Sequence, residues 1–162
     1  MAAPRSRFFN VAVSGLAHVD ADVEVSSSDL ESQITETMER LSMPPGLLEG
    51  LTGIKNRRFW SEGMAPSDAA ALAAQKVLTQ TPVDPSKIGA LINTSVSRDY
   101  LEPSTAAIVQ GKIGLGRDCI NFDIGSACLG FMQGAALAAS MIERGEIGHA
   151  LIVAGEDGRP IV

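Results

Sequence analysis

The chain has 162 residues, with 13 Lys and Arg against 19 Asp and Glu, giving a formal charge of −6 at pH 7. That is one domain's worth of chain, and 45% hydrophobic with 20% charged residues excludes a disordered or collagen-like polypeptide. The acidic balance repels a phosphate backbone, and no basic cluster exceeds the Arg57-Arg58 pair, which argues against nucleic-acid binding.

Aromatic residues are only 4% while Gly numbers 16, so the core must be built from small and aliphatic side chains, as where helices pack closely on a sheet. Residues 8–17 read as a buried first strand. Arg5 and Arg7 before it imitate the charged region of a signal peptide, but Asn10 and Ser14 interrupt the apolar run, which leads into HVDAD and no small-residue cleavage site. Ser28, with Glu31 three residues on, predicts a capping box and a helix through about Leu41, stopped by Pro44-Pro45-Gly46. A short helical turn and the segment TGIKNRRFW follow. Pro66 and Ser67 then open an Ala-rich helix to about Gln80, ended by Pro82 and Pro85.

Residues 88–95 (IGALINTS) predict a buried strand, Pro103 to Lys112 a helix, and 119–124 (CINFDI) a second buried strand. Leu129 to Arg144 is a helix closed by Gly145, and 149–156 (HALIVAGE) is again a strand. Helices alternating with apolar strands predict an α/β fold of parallel β-α-β units. The most apolar stretch, Leu129 to Ile142, is 14 residues and contains Gln133, short of the roughly 20 that span a bilayer. No transmembrane segment is expected. Two cysteines make no disulfide framework, so a reduced, cytoplasmic chain is expected.

The chemistry is concentrated in NFDIGSACLGFMQGAALAASMIERG, which places Cys128 at a sharp junction between a buried strand and the first turn of an apolar helix. Gly125, Ser126 and Ala127 are small enough for a tight turn. At a helix N-terminus, N–H groups and about half a positive charge converge, which stabilises a thiolate and a developing oxyanion. Cys128 is therefore the candidate nucleophile, and Cys119, inside a strand, reads as a core thiol. A nucleophilic Cys usually works with a His, and the two present are poor candidates. His149 lies beyond the far end of the helix, about 24 Å away. His18 is more simply a loop residue.

Several segments carry a family resemblance. GSACLGF before an Ala-rich helix ending in IERGEIGHALIVAGE resembles the nucleophile region of thiolase-superfamily condensing enzymes of the ketoacyl synthase III type. LTGIKNRRFW is similar to that family's TGI-x-x-R signature, and LINTSVSRDYLEPSTAAIVQGKIG to its second strand and the helix after it. DYLEPST narrows the resemblance to the OleA-type enzymes of bacterial head-to-head olefin biosynthesis, and the likeness covers nearly the whole chain, including GLAHVDA near the start. In those, a Glu just before this Pro acts as base across the dimer interface; Glu102 stands at that position, 26 residues before Cys128.

The resemblance implies one of the two β-α-β-α-β halves of a thiolase-like fold over 1–162, and an acyltransferase joining two fatty acyl-CoA thioesters by non-decarboxylative Claisen condensation through an acyl-Cys128 intermediate. It implies Cys128 and Glu102 as catalytic residues, no metal, no cofactor beyond the coenzyme A thioester substrates, a homodimer, and downstream olefin-biosynthesis enzymes as partners. Leu101, Leu129, Phe131 and Met132 are candidate linings for alkyl channels. Leu47 and Leu51 stand where synthase III enzymes carry a Trp and an Arg for the adenine of coenzyme A, which favours a long-chain relative. The family's catalytic His and Asn belong to the other half, so condensation by 1–162 alone is expected to be weak or absent. Two alternatives are a decarboxylative ketoacyl synthase III acting on malonyl-carrier protein, and a non-catalytic half-fold that serves as an interaction module.

Overall fold

A computed structural model describes residues 8–157, which form two compact units, 20–63 and 8–19 with 64–157. Arg5 and Arg7 lie outside the described residues.

In the smaller unit, β1 (Val23–Ser26) pairs antiparallel with β2 (Asn56–Phe59), with Glu24 opposite Arg58. The Arg58 guanidinium meets the Glu24 carboxylate at 3.1 Å, and Asn56 Nδ2 donates to the same carboxylate at 2.6 Å. The predicted helix after β1 starts two residues earlier and is divided. Ser26, not Ser28, is the N-cap: its hydroxyl accepts from Asp29 N–H at 3.0 Å, and Asp29 accepts in return from Ser26 N–H at 3.3 Å. The first helix, α1 (Ser27–Gln33), ends at Ile34, and α2 (Thr35–Arg40) follows. The Thr35 hydroxyl donates to the carbonyls of Ser32 and Glu31 at 3.1 and 3.3 Å, a local bond that competes with the regular ladder where two β-branched residues meet.

Glu31, expected in α1's own capping box, instead caps α3 (Leu47–Thr52), two helices further on. Its buried carboxylate accepts from Gly46 N–H and Leu48 N–H, both at 2.7 Å. These bonds, that from Leu48 first, hold the Glu31 carboxyl below the usual carboxylate range.

In the larger unit, α4 (Pro66–Gln80) precedes β3 (Ile88–Asn93), α5 (Thr105–Ile113), β4 (Ile120–Asp123), α6 (Gly130–Glu143) and β5 (His149–Val153). The strands form a parallel sheet in the order β4-β3-β5, as the alternation of elements predicts. Period-2 alternation assigns the two faces. Leu91, Leu151 and Val153 join Ala70, Ala71 and Ala74 of α4 and Ala106 and Val109 of α5 in the core. Ile92, Thr94 and Ile152 face α6, where a Cβ on Gly134 would lie 2.8 Å from Thr94 Cγ2 and about 3.5 Å from the two Ile methyls. The methyl-sized Ala face of α4 and the bare backbone of Gly134 explain why so few aromatics are needed.

One predicted strand is absent. Residues 8–17 form no ladder among the described residues: the N–H groups of Phe9 and Asn10 donate to the Glu143 carboxylate at 3.1 and 3.0 Å, and Val13 and Leu16 are exposed. Hydrophobic patterning identified a segment suited to a sheet, but a strand also needs a partner for its backbone groups.

Two outcomes test this packing. Glu31→Gln should loosen α3. Because the folded Glu31 carboxyl titrates below its unfolded value, its contribution is present above the ordinary carboxylate range and fades as pH falls through the depressed value; amide exchange at Gly46 and Leu48 should accelerate in acid for the wild type and already be fast at pH 7 in the variant. Gly134→Ala should destabilise the larger unit by about 1–3 kcal/mol, read as a lower midpoint in denaturant.

Candidate active site

Because β3 and β4 run parallel with Asn93 opposite Asp123, the segments after both strands leave the sheet at one edge. In open parallel sheets this C-terminal edge is where ligands bind. Here it is tied by a polar network. Asp123 accepts from the N–H groups of Thr105 and Ala106, at 2.9 and 2.8 Å, capping α5 from the neighbouring strand. Asn93 Nδ2 donates to the same carboxylate at 3.2 Å, and Asn93 Oδ1 accepts from the Ser95 hydroxyl at 2.6 Å. Ser95 Oγ in turn accepts from Gly155 N–H, beyond β5, at 2.8 Å. Asn93 and Ser95 are buried, so these bonds replace the water they lose.

Cys128 lies on this edge. After β4, Ile124 N–H donates to Asn93 O at 2.8 Å, and Leu129 N–H to Ser126 O at 3.0 Å closes a 3₁₀ turn over Ala127–Leu129 that runs into α6. Ala127 has φ +43°, left-handed backbone that costs a non-glycine residue about 1–3 kcal/mol and is concentrated at functional sites. The next residue, Cys128, is exposed. No side chain caps α6 and its first turn carries no acidic residue, so its positive end is not neutralised by its own sequence. Gly130 allows the approach: a Cβ there would sit 2.8 Å from Thr94 O. Cys119 is buried one residue before β4 begins, rather than within it, and burial pushes its thiol up.

Glu102 is exposed in the segment between β3 and α5, joined to Pro103 by a cis peptide bond. The fold therefore brings Cys128 and Glu102 to one sheet edge. His149 opens β5 opposite Ile88, at the other edge, as expected. The carbonyl of exposed His18 accepts from Lys76 Nζ at 2.8 Å. Lys76 is ten residues along α4 from Pro66, whose carbonyl packs against Gly155, so about 15 Å of helix separates it from that end. Leu101, Leu129, Phe131 and Met132 are all exposed and belong to no core; Leu101 is 84% exposed. Among the described residues no group of three or more His, Cys, Asp or Glu is placed to hold a metal, and no helix is long and apolar enough to cross a membrane.

The sequence reading missed Asp123 and Glu156. Asp123 had a signal, an acid closing a strand just before the small-residue turn. Glu156, whose carboxylate accepts from Val96 and Ser97 N–H at 2.7 and 3.0 Å, had none.

The comparisons with known proteins agree with this geometry. A model of the family 3-oxoacyl-[acyl-carrier-protein (ACP)] synthase III matches residues 122–162, the stretch that carries Cys128. An acyl-CoA:acyl-CoA alkyltransferase of Xanthomonas campestris is 48% identical over 149 residues, 92% of this chain and 44% of the relative. The chain is a homologue of thiolase-type condensing enzymes. An alkyltransferase of Shewanella oneidensis is 38% identical over 156 residues, 96% of this chain and 45% of the relative. The crystal structure of cerulenin-bound OleA from Xanthomonas campestris superposes with a TM-score of 0.89 at 46% identity, covering 97% of this chain and 46% of that one. The thiolase-like fold expected from the resemblance is thus observed, and this condensing-enzyme homologue spans about half the length of the curated relatives it matches.

In native protein, iodoacetamide should alkylate Cys128 first and leave Cys119 protected until the fold opens, as mapped by peptide mass spectrometry. Equal labelling, or Cys119 first, would remove the argument for an accessible nucleophile at the turn.

Proposed function

We propose that the chain supplies the nucleophile-bearing, N-terminal half of an acyl-CoA:acyl-CoA condensing enzyme. The observation that carries this reading is the exposed Cys128 on a strained turn at the uncapped N-terminus of α6. The Cys128 thiolate attacks the carbonyl of a fatty acyl-CoA, and coenzyme A leaves as its thiolate, so the acyl group becomes a thioester on the enzyme. Glu102, contributed by the partner subunit of a homodimer, takes the α-proton of a second acyl-CoA. The resulting carbanion attacks the Cys128 thioester, a carbon–carbon bond forms, and the Cys128 thiolate is released. The product is a 2-alkyl-3-ketoacyl thioester, or its acid after hydrolysis, which enzymes of olefin formation would consume in the cytoplasm.

A group at the base position separates this reaction from the decarboxylative one, in which loss of carbon dioxide generates the carbanion and no proton need be abstracted. The exposed Leu101, Leu129, Phe131 and Met132 supply apolar surface beside the site for alkyl chains once the complete enzyme covers it. By itself 1–162 is expected to condense little acyl-CoA.

The test is made in the full-length protein with a long-chain acyl-CoA. Cys128→Ser should abolish both the acyl adduct seen by intact mass and the condensed product. Glu102→Gln should keep the adduct and lose condensation by about 10²- to 10⁴-fold. Undiminished condensation in Glu102→Gln, or an adduct on another residue, would overturn the assignment; comparable turnover by 1–162 alone would overturn the half-enzyme reading.

A further inference from the structure

The segment between β3 and α5 is held by carboxylates at its start, middle and end. Val96 and Ser97 are bonded to Glu156, and Thr105 and Ala106 to Asp123. Between them, Asp99 reaches the first turn of α4, where its carboxylate accepts from Ser67 N–H at 2.9 Å and from the Ser67 hydroxyl in a short hydrogen bond. Ser67 is fully buried, and its Oγ also accepts from Lys112 Nζ, near the end of α5, at 2.6 Å. Lys112 donates in addition to Asp68 at 2.5 Å. One buried hydroxyl thus lies between an anion and a cation from two other segments, and its two bonds fix the orientation of both. Tyr100, Leu101 and Glu102 follow at once and are exposed.

We infer that Asp99, held by Ser67, whose hydroxyl is itself fixed by Lys112, is a positioning residue for Glu102. The inference rests on the assignment of Glu102 as base. The two acids are only three positions apart, at most about 10 Å of extended chain, so freedom at Asp99 passes directly to Glu102. The Asp123 cap secures only the far side of the tip. A base must stand within hydrogen-bond reach of the proton it removes, and a misplacement near 1 Å costs on the order of 10²-fold. Neither Asp99 nor Ser67 is required for attack by Cys128, so their effect should fall on the second half-reaction.

The experiment compares Asp99→Asn, Ser67→Ala and Glu102→Gln in the full-length protein by amide exchange, by acylation of Cys128 and by condensation. In Asp99→Asn and Ser67→Ala, the amides of β3 should stay protected. Cys128 acylation should be unchanged and condensation should fall roughly 10- to 100-fold. Acylation lost in step with condensation would overturn the proposal. Undiminished condensation in Asp99→Asn beside its loss in Glu102→Gln would overturn positioning alone, whereas undiminished condensation in Glu102→Gln would overturn the base assignment. Should Asp99→Asn lose the protection of β3, Ser67→Ala, which retains both charges, decides on the same measurements.

Discussion

The carboxylate of Asp123 is the contact on which the functional edge of the sheet depends. It ends β4, caps α5 through two backbone N–H groups, and takes a third bond from the Asn93 amide at the end of β3. A helix start leaves several N–H groups without partners, and an anion there satisfies them and also interacts favourably with the helix dipole. One side chain thereby fixes where the segment carrying Glu102 ends relative to the strand that leads to Cys128. Both segments would still leave the sheet at one edge without it, because the strands are parallel, but the approach of α5 would no longer be tied to β4.

The interior divides its tasks by polarity. Away from the edge the sheet is covered by Ala residues of α4 and aliphatic residues of α5, whose burial drives association without direction. At the edge, Asn93, Thr94 and Ser95 are buried and bonded: Asn93 and Ser95 to each other, Thr94 to Val153 O at 3.1 Å. Directional bonds place the turns, and on the other face of the sheet the missing Cβ atoms of Gly130 and Gly134 let α6 lie close to Thr94. The strained backbone at Ala127 persists because β4 on one side and α6 on the other leave the turn little alternative.

Exposure around the site has the opposite character. Cys128 and Glu102 stand out from this ordered edge among Leu101, Leu129, Phe131 and Met132, side chains that would be core in most proteins. Under the proposed function, exposed apolar groups near in sequence to Cys128 and Glu102 would suit an apolar substrate and a covered, water-poor site. The chain spans about half the length of the curated relatives it matches, and under the proposed function the remainder of such an enzyme would supply the cover.

Most of the α/β organisation could be read locally. Pro66 at a helix start, the Ala-rich face behind it, the β-branched and aliphatic runs 88–95 and 149–156, and Gly145 after α6 each state a preference that neighbouring residues enforce. Cys128 was identifiable for the same reason, since a strand, three small residues and an apolar helix in succession define a turn at a helix N-terminus. The sequence by itself therefore determined the parallel β-α-β order and the candidate nucleophile. What it did not determine were pairings between distant residues. Residues 8–17 have the composition of a strand, but whether a backbone donor finds a ladder partner depends on which chain lies beside it. Glu31 matched a capping box in its own helix, yet two N–H groups 15 and 17 residues away offered it a buried, doubly bonded place. The bonds of Ser67 to Asp99 and to Lys112, across 32 and 45 residues, left no local trace. Such bonds form only after burial of the core has brought their elements together, and so the tertiary structure alone decided them.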